Sequence, residues 1–128
     1  MFTIRKEFAF SASHQLKGLA DNHPCSRNHG HNYVIVVELK SKELSDVGFI
    51  LDYRQLDFVK KMIDEEFDHR FLNDVVSFNP TAESLSEYFY YRIKTHLVTS
   101  GKDESILSAV EVSETPKTNS RYYEPDNN

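Results

Sequence analysis

From Phe2 to Ala12 the chain alternates: Phe2, Ile4, Phe8 and Phe10 take one phase, and Thr3, Arg5, Glu7 and Ala9 the other. A period of two marks a half-buried strand and excludes an amphipathic helix over the same residues. Carried two residues further, the alternation puts His14 on the side of the phenylalanines. A second such run covers about 31–40, with Tyr33, Ile35, Val37 and Leu39 on one face and Val34 and Val36 giving the other some apolar character. Between them, residues 17–30 carry Gly18, Asn22, Pro24, Asn28 and Gly30, the composition of a loop. A loop of that length inside a compact domain is usually functional.

Asp52 is placed to cap a helix over about 53–67, with Gln55 three residues on as in a capping box and Leu56, Val59, Ile63 and Phe67 at helical spacing. A second helix is expected from around Asn79-Pro80-Thr81, with Pro in its first turn. Leu85, Phe89, Ile93 and Leu97 line one of its faces, and Gly101 suits its end. Ile106 to Glu114 alternates again, Ile106, Val110 and Val112 sharing a face with Glu114 in phase. A short strand at Tyr122 and Tyr123 can follow, before a polar tail at 124–128 that is expected to fray. The order β, β, α, α, β, with an optional last strand, indicates one α+β domain over residues 1–123 with an antiparallel sheet.

The apolar inventory is thin, 39% of 128 residues even with tyrosine counted, which points to subunit contacts as a further source of burial. Twenty acidic against 15 basic residues give a net charge of −5, with no basic run to neutralise phosphates along a nucleic acid. The longest uninterrupted apolar run is Tyr33 to Val37, far short of a membrane span. The opening Met-Phe-Thr-Ile-Arg-Lys lacks the apolar segment of a secretory signal, and a lone Cys suits a reducing compartment, so a cytoplasmic location is expected.

Histidine is where the composition concentrates chemistry. Of six His, His23, His29 and His31 fall close together, and the single Cys, Cys25, lies among them. In an extended chain residues i and i+2 project to one face about 7 Å apart, so His29 and His31 can converge on one ion. His14, ending the neighbouring strand, can supply a third nitrogen. Three imidazoles with an open fourth position describe catalytic zinc; a closed site of three histidines and Cys25 describes structural zinc, in a binding module that zinc only holds together. Surface histidines that bind nothing are the plain alternative.

Cys25 sits among His23, Pro24, Ser26 and Arg27, a polar setting in which a neighbouring cation favours the thiolate, a usable base or nucleophile. In Asp68-His69 the Asp can orient the ring and fix its tautomer for proton transfer, although such a pair also occurs solvated at helix ends. Glu114 is a carboxylate on an apolar face and so needs a partner, unless a register slip turns it to solvent. A ligand with two parallel N–H groups, such as the 2-amino and N3–H edge of a pterin or guanine, would pair with it bidentately. Glu83 lies in the first turn of the second helix just after Thr81, where an acid also simply complements the helix dipole.

Taken together, Phe10-Ser11-Ala12-Ser13-His14, Cys25-Ser26-Arg27-Asn28-His29-Gly30-His31, Asp68-His69 with Leu72-Asn73, Pro80-Thr81-Ala82-Glu83 and Val112-Ser113-Glu114-Thr115 resemble, in order and spacing, the 6-pyruvoyl-tetrahydropterin synthase family. The resemblance covers about residues 2–123. The three-residue gap between Cys25 and His29 is similar to that of the bacterial 6-carboxy-tetrahydropterin synthase branch, and Asn28 stands where that pattern commonly has Leu. The resemblance implies a T-fold (tunnelling fold): an antiparallel four-stranded sheet with two helices on one face, joined between subunits into an oligomeric barrel, commonly a hexamer. It implies Zn2+ on His14, His29 and His31, catalytic Cys25, Asp68 and His69, and a pterin held by Glu114 with Thr81 and Glu83 nearby. The implied activity turns 7,8-dihydroneopterin triphosphate into 6-carboxy-5,6,7,8-tetrahydropterin, acetaldehyde and triphosphate for queuosine and related 7-deazapurines. The pyruvoyl synthase reaction is the alternative within the family. Lys17, Arg27, Arg70 and Lys117 are candidate cations for the triphosphate. His23 and His96 have no assigned part, and Tyr88, Tyr90 and Tyr91 suit helix packing or subunit contact.

Overall fold

The computed structural model describes residues 1–125 of the chain. The two alternating runs form long strands, β1 (Phe2–His14) and β2 (His29–Ser41), paired antiparallel so that His14 faces His29 and Ala12 faces His31. Strand β2 therefore starts at His29, and the preceding loop holds one short 3-10 turn, Pro24–Ser26. Asp52 caps a 3-10 turn, Tyr53–Leu56, through the expected box with Gln55, and the chain then enters α1 (Asp57–Glu66). A two-residue strand β3 (Arg70–Phe71) and a single-turn α2 (Leu72–Val75) lead to the long helix α3 (Ala82–Thr99). Thr81 is its N-cap, accepting from Ser84 N–H, so Pro80 lies before the helix instead of in its first turn. The carbonyl of Pro80 is thereby left free to accept from the His14 ring.

Strand β4 (Leu107–Thr115) pairs with β2, and β5 (Thr118–Tyr122) returns beside it, starting earlier than the expected Tyr122-Tyr123 pair. The sheet order is β3-β1-β2-β4-β5, five strands where four were expected, because β3 adds a parallel pairing of Arg70 and Phe71 with Ala12 and Ser13. Opposite Glu38 and Leu39, the register of β4 slips between Ala109 and Leu107, a bulge at Ser108. That extra residue lets Leu107 and Val110 both reach the core, and Ile106 falls in the preceding 3-10 turn instead of on the strand face.

Both main helices cover one face of the sheet. Phe10 stacks on Tyr33 at 5.0 Å between ring centres and touches Phe67 and Phe89 at 6.1 and 6.4 Å, tying β1, β2, the end of α1 and α3 into one aromatic core. The opposite face carries a charged network beside Val34, Val36 and Ala109: Glu38 pairs with Arg5 and Arg121, and Arg5 also reaches Glu111. Outward of β1, only Ala12 and Ser13 are covered by β3, so both sheet edges are largely open among the described residues. Of the polar tail, Glu124 is tied to Tyr91 and Lys94, and residues 126–128 lie outside the described part. No described helix is long and apolar enough to cross a membrane.

Candidate metal centre and its flanking pockets

At the helix-facing end of β1 and β2 the side chains of His14, His29 and His31 meet, joined by Glu114 from β4. One donor atom from each of the four lies within 4.8 Å of all the others. Nε2 of His14 is 2.9 Å from Nε2 of His29, and Oε2 of Glu114 is 2.9 Å from Nε2 of His31 and 3.4 Å from that of His14. Their convergence follows from register: His14 and His29 are direct cross-strand partners, and His31 is two residues along the same face. Val110, Val112 and Glu114 share a face of β4, which brings Glu114 in as the alternation implied.

The donor set fits a metal. Nδ1 of His14 donates to the Pro80 carbonyl at 2.8 Å, and Nδ1 of His29 to the Arg27 carbonyl at 2.8 Å, so each Nε2 is left with its lone pair. Two such lone pairs 2.9 Å apart repel unless a shared proton or a cation lies between them. His31 Nε2 is buried with no hydrogen bond, despite the nearby Glu114 oxygen, which lies off its N–H direction. Burial lowers the His31 pKa, Glu114 opposes this, and His14 and His29 add to it; the neutral ring a metal requires is thus favoured. The proximity of His14 holds the Glu114 carboxyl below the usual range, against its burial. Cys25 does not belong to this group, and the four-donor set is closed by a carboxylate where a structural site of one Cys and three His would have used a thiol.

Two asparagines that the sequence marks only as neighbours of other motifs hold His14 in place. Asn73 accepts from Gln15 N–H at 2.9 Å and donates to its carbonyl at 2.8 Å. Asn79 repeats the pattern on Lys17, at 2.9 and 3.1 Å. Each amide thus imitates a strand neighbour and extends the ladder past the end of β1, where His14 is wholly buried. Beneath the cluster, the Tyr33 ring meets His14 and His31 edge-on at 5.9 and 5.5 Å, and its hydroxyl is buried without a partner among the described residues.

The remaining candidates flank this centre. Glu83 and Glu114 share a cavity of about 330 Å³ with Ala82, Thr118, Asn119 and Ser120, while Thr81 begins the helix at its side. Asp68 and His69 lie at the β1 edge, where His69 and Arg70 line a 470 Å³ cleft with Ser11, Ser13, His31 and Asn32. Asp68 Oδ2 is 2.9 Å from His69 Nδ1, and His69 takes a positive φ of 59°. Cys25 is half-buried on the 3-10 turn, where its N–H donates to His23 Nδ1 and its carbonyl accepts from Leu16. Among the described residues, no hydrogen bond or ion pair links it to Asp68 or His69 within the chain. His96 stacks on Phe58 at 3.7 Å, a packing role. A cavity of about 550 Å³ along α3 between Phe78, Tyr88, Tyr91 and Arg92 contains none of these residues.

Comparison with known proteins converges on one family. Residues 3–125 match the family model described as 6-pyruvoyl tetrahydropterin synthase. The chain is 30% identical over 131 residues to the 6-carboxy-5,6,7,8-tetrahydropterin synthase of Synechocystis, covering 98% of this chain and 95% of that one. It is 30% identical over 105 residues to the Bacillus subtilis protein of the same name, covering 77% and 69%. The structure of Caenorhabditis elegans 6-pyruvoyl tetrahydropterin synthase superposes with a TM-score of 0.81 at 28% identity, over 97% of this chain and 96% of that one. The Plasmodium vivax 6-pyruvoyl tetrahydropterin synthase, at 15% identity and a TM-score of 0.71 over 97% and 99%, shares the fold. The α+β sheet with helices on one face is accordingly a T-fold. With nearly the whole chain matched and four donors gathered at the ends of its strands, this protein belongs to the 6-pyruvoyl tetrahydropterin synthase family.

Proposed function

We propose that this protein is a zinc-dependent 6-carboxy-5,6,7,8-tetrahydropterin synthase acting on 7,8-dihydroneopterin triphosphate and one water, which supplies the second carboxylate oxygen, and releasing acetaldehyde and triphosphate. The observation that carries this reading is the convergence of His14, His29, His31 and Glu114 beside a cavity that Glu83 and Glu114 share. Zn2+ held by the three histidines supplies a Lewis acid for the hydroxyls of the substrate side chain. Glu114 takes the 2-amino and N3–H edge of the pterin, with Thr81 and Glu83 beside it, which fixes the ring relative to the metal. The Cys25 thiolate removes a proton from the side chain, and His69, its tautomer fixed by Asp68, returns one. Arg70, beside His69 in the cleft, joins Lys17, Arg27 and Lys117 as a cation for the triphosphate.

Among the described residues Cys25 shares no hydrogen bond or ion pair with Asp68 or His69 within one chain, and both sheet edges are largely open. Both facts support a site completed between subunits of a homo-oligomeric barrel, a hexamer by family resemblance. A cytoplasmic enzyme serving queuosine and other 7-deazapurines is the corresponding role. The 6-carboxy relatives and the short gap between Cys25 and His29 favour this branch. The close superposition on the nematode 6-pyruvoyl enzyme favours the other. Product analysis by mass spectrometry separates them: 6-carboxytetrahydropterin with acetaldehyde is expected, and 6-pyruvoyl-tetrahydropterin as sole product would transfer the chain to the pyruvoyl branch.

A further inference from the structure

The 3-10 turn that carries Cys25 leans on the chain just past β1. Within the turn, Ser26 N–H donates to the His23 carbonyl at 3.0 Å, Arg27 N–H to the Pro24 carbonyl at 3.2 Å, and Cys25 N–H to the His23 ring at 3.0 Å. These bonds fix the shape of the turn, not its place. Beside the covalent link to β2, its place is set by two others: Leu16 N–H donates to the Cys25 carbonyl at 3.0 Å, and the Gln15 side-chain amide donates to the Ser26 carbonyl at 2.8 Å. Gln15 and Leu16 lie beyond His14, where the β1–β2 ladder has ended. Their hold comes from the far side. The Asn73 amide takes both backbone groups of Gln15, and the Asn79 amide both of Lys17. Successive residues therefore alternate, Gln15 and Lys17 toward the asparagines and Leu16 toward Cys25. The end of β1 thus frames three groups: Ser11 holds Asp68 and His69, His14 joins the histidine cluster, and Gln15 with Leu16 holds the thiol-bearing turn.

We propose that Asn73 is a positioning residue for Cys25: its amide fixes the backbone of Gln15, Gln15 and Leu16 fix the turn, and the turn sets where the thiol stands relative to the histidines. One side chain must here accept from the N–H and donate to the C=O of the same residue, which an amide does and a carboxylate cannot. An apolar side chain of similar shape leaves both groups of Gln15 unpaired, and the two bonds to the turn then hang from a loosened segment. Gln15 is a second positioning residue, through its side chain. The consequence for turnover rests on the role of Cys25 proposed above; the placement of the turn does not.

The test uses the thiol as its own reporter. Cys25 is the only Cys of the chain, so alkylation by iodoacetamide, followed by mass spectrometry, reads that site alone. At about pH 9.5 the thiol is largely ionised in every variant, so the rate reports access. In the zinc-loaded full chain, Asn73→Leu is expected to raise the rate about tenfold, and Gln15→Met, which removes one of the two bonds from an exposed side chain, about threefold. The urea midpoint of Gln15→Met should stay at the wild-type value, so this variant decides the matter if Asn73→Leu does not fold. Wild-type alkylation rates in the folded variants would overturn the proposal. So would rates that simply follow the urea midpoint from variant to variant, since they would report opening of the whole fold. In turnover of 7,8-dihydroneopterin triphosphate, kcat should fall by about tenfold and threefold with KM within about twofold of wild type, as for a displaced reacting group that does not bind substrate. Faster alkylation with unchanged kcat would overturn the positioning role. Cys25→Ala then separates the two failures: if it keeps kcat, the role of Cys25 falls, and if it loses kcat, only the assignment of Asn73 and Gln15 does.

Discussion

Asp68 holds His69 by its ring while the backbone of Ser11 on β1 holds both, Asp68 by its carboxylate and His69 by its N–H. Oδ2 of Asp68 lies 2.9 Å from His69 Nδ1, Oδ1 accepts from the Ser11 N–H at 3.0 Å, and His69 N–H donates to the Ser11 carbonyl at 2.6 Å. The ring itself stands 81% exposed at a positive φ. A non-glycine residue in that region costs of order 1 kcal/mol, and such strain persists where the surroundings over-determine it.

His69→Asn separates strain from chemistry. Asn adopts positive φ more readily than most residues, so the unfolding free energy is expected to stay within about 0.5 kcal/mol of wild type. Turnover of 7,8-dihydroneopterin triphosphate should fall by roughly 10²- to 10⁴-fold, the usual contribution of a general acid or base. A loss of stability with undiminished turnover would assign His69 to the fold alone.

Acid should expose the Asp68 clamp. The Ser11 N–H first, and the His69 side chain second, hold its carboxyl below the usual Asp range. With the folded pKa depressed, its contribution to stability is present above the ordinary Asp pKa of about 3.9 and is lost as pH falls through the lower folded value. Urea unfolding of wild type and Asp68→Asn should therefore differ near neutral pH and converge below about pH 4. A gap that is constant with pH would place the effect elsewhere.

The aromatic core permits a sharper contrast. Phe10 is 4% exposed and touches Tyr33, Phe67 and Phe89, so Phe10→Ala is expected to cost about 3–5 kcal/mol in chemical denaturation. The Tyr33 hydroxyl makes no hydrogen bond to the described residues, and burial raises its pKa, keeping it neutral. Tyr33→Phe should change stability by less than about 1 kcal/mol.

Metal removal distinguishes an enzyme from a module that zinc merely holds together. The core around Phe10, Ile35 and Phe89 is built without the cluster, so the chelated protein should retain its circular dichroism and a cooperative unfolding transition. His31→Ala should weaken zinc binding by more than about 100-fold, and Cys25→Ala should leave it within about threefold. Zinc loss in Cys25→Ala would make the thiol a ligand.

Much of this architecture is legible in the sequence because burial imprints its period. Phe8, Phe10 and His14 fall on one face at a spacing of two, and Leu85, Phe89 and Ile93 at helical spacing, so strand phase, helix face and the meeting of His14 with His29 and His31 can be read directly. Short-range geometry leaves no such imprint. The bulge at Ser108, which removes Ile106 from the strand, is one inserted residue and not a pattern. Asn73 and Asn79 clamp Gln15 and Lys17 from a distant part of the chain, and an asparagine looks the same in sequence whether or not it does so. The approach of Glu114 to the histidines is half visible: its phase on β4 can be read, but its distance from them depends on how three strands end together.

The most direct test strips the full-length protein of metal, restores Zn2+ to one half, and supplies both with 7,8-dihydroneopterin triphosphate while products are identified by mass spectrometry. Triphosphate, acetaldehyde and 6-carboxytetrahydropterin in equal amounts are expected from the zinc-restored protein and none from the stripped one. Equal turnover without metal, or no pterin product from folded, zinc-loaded protein, would contradict a catalytic role for the centre formed by His14, His29, His31 and Glu114.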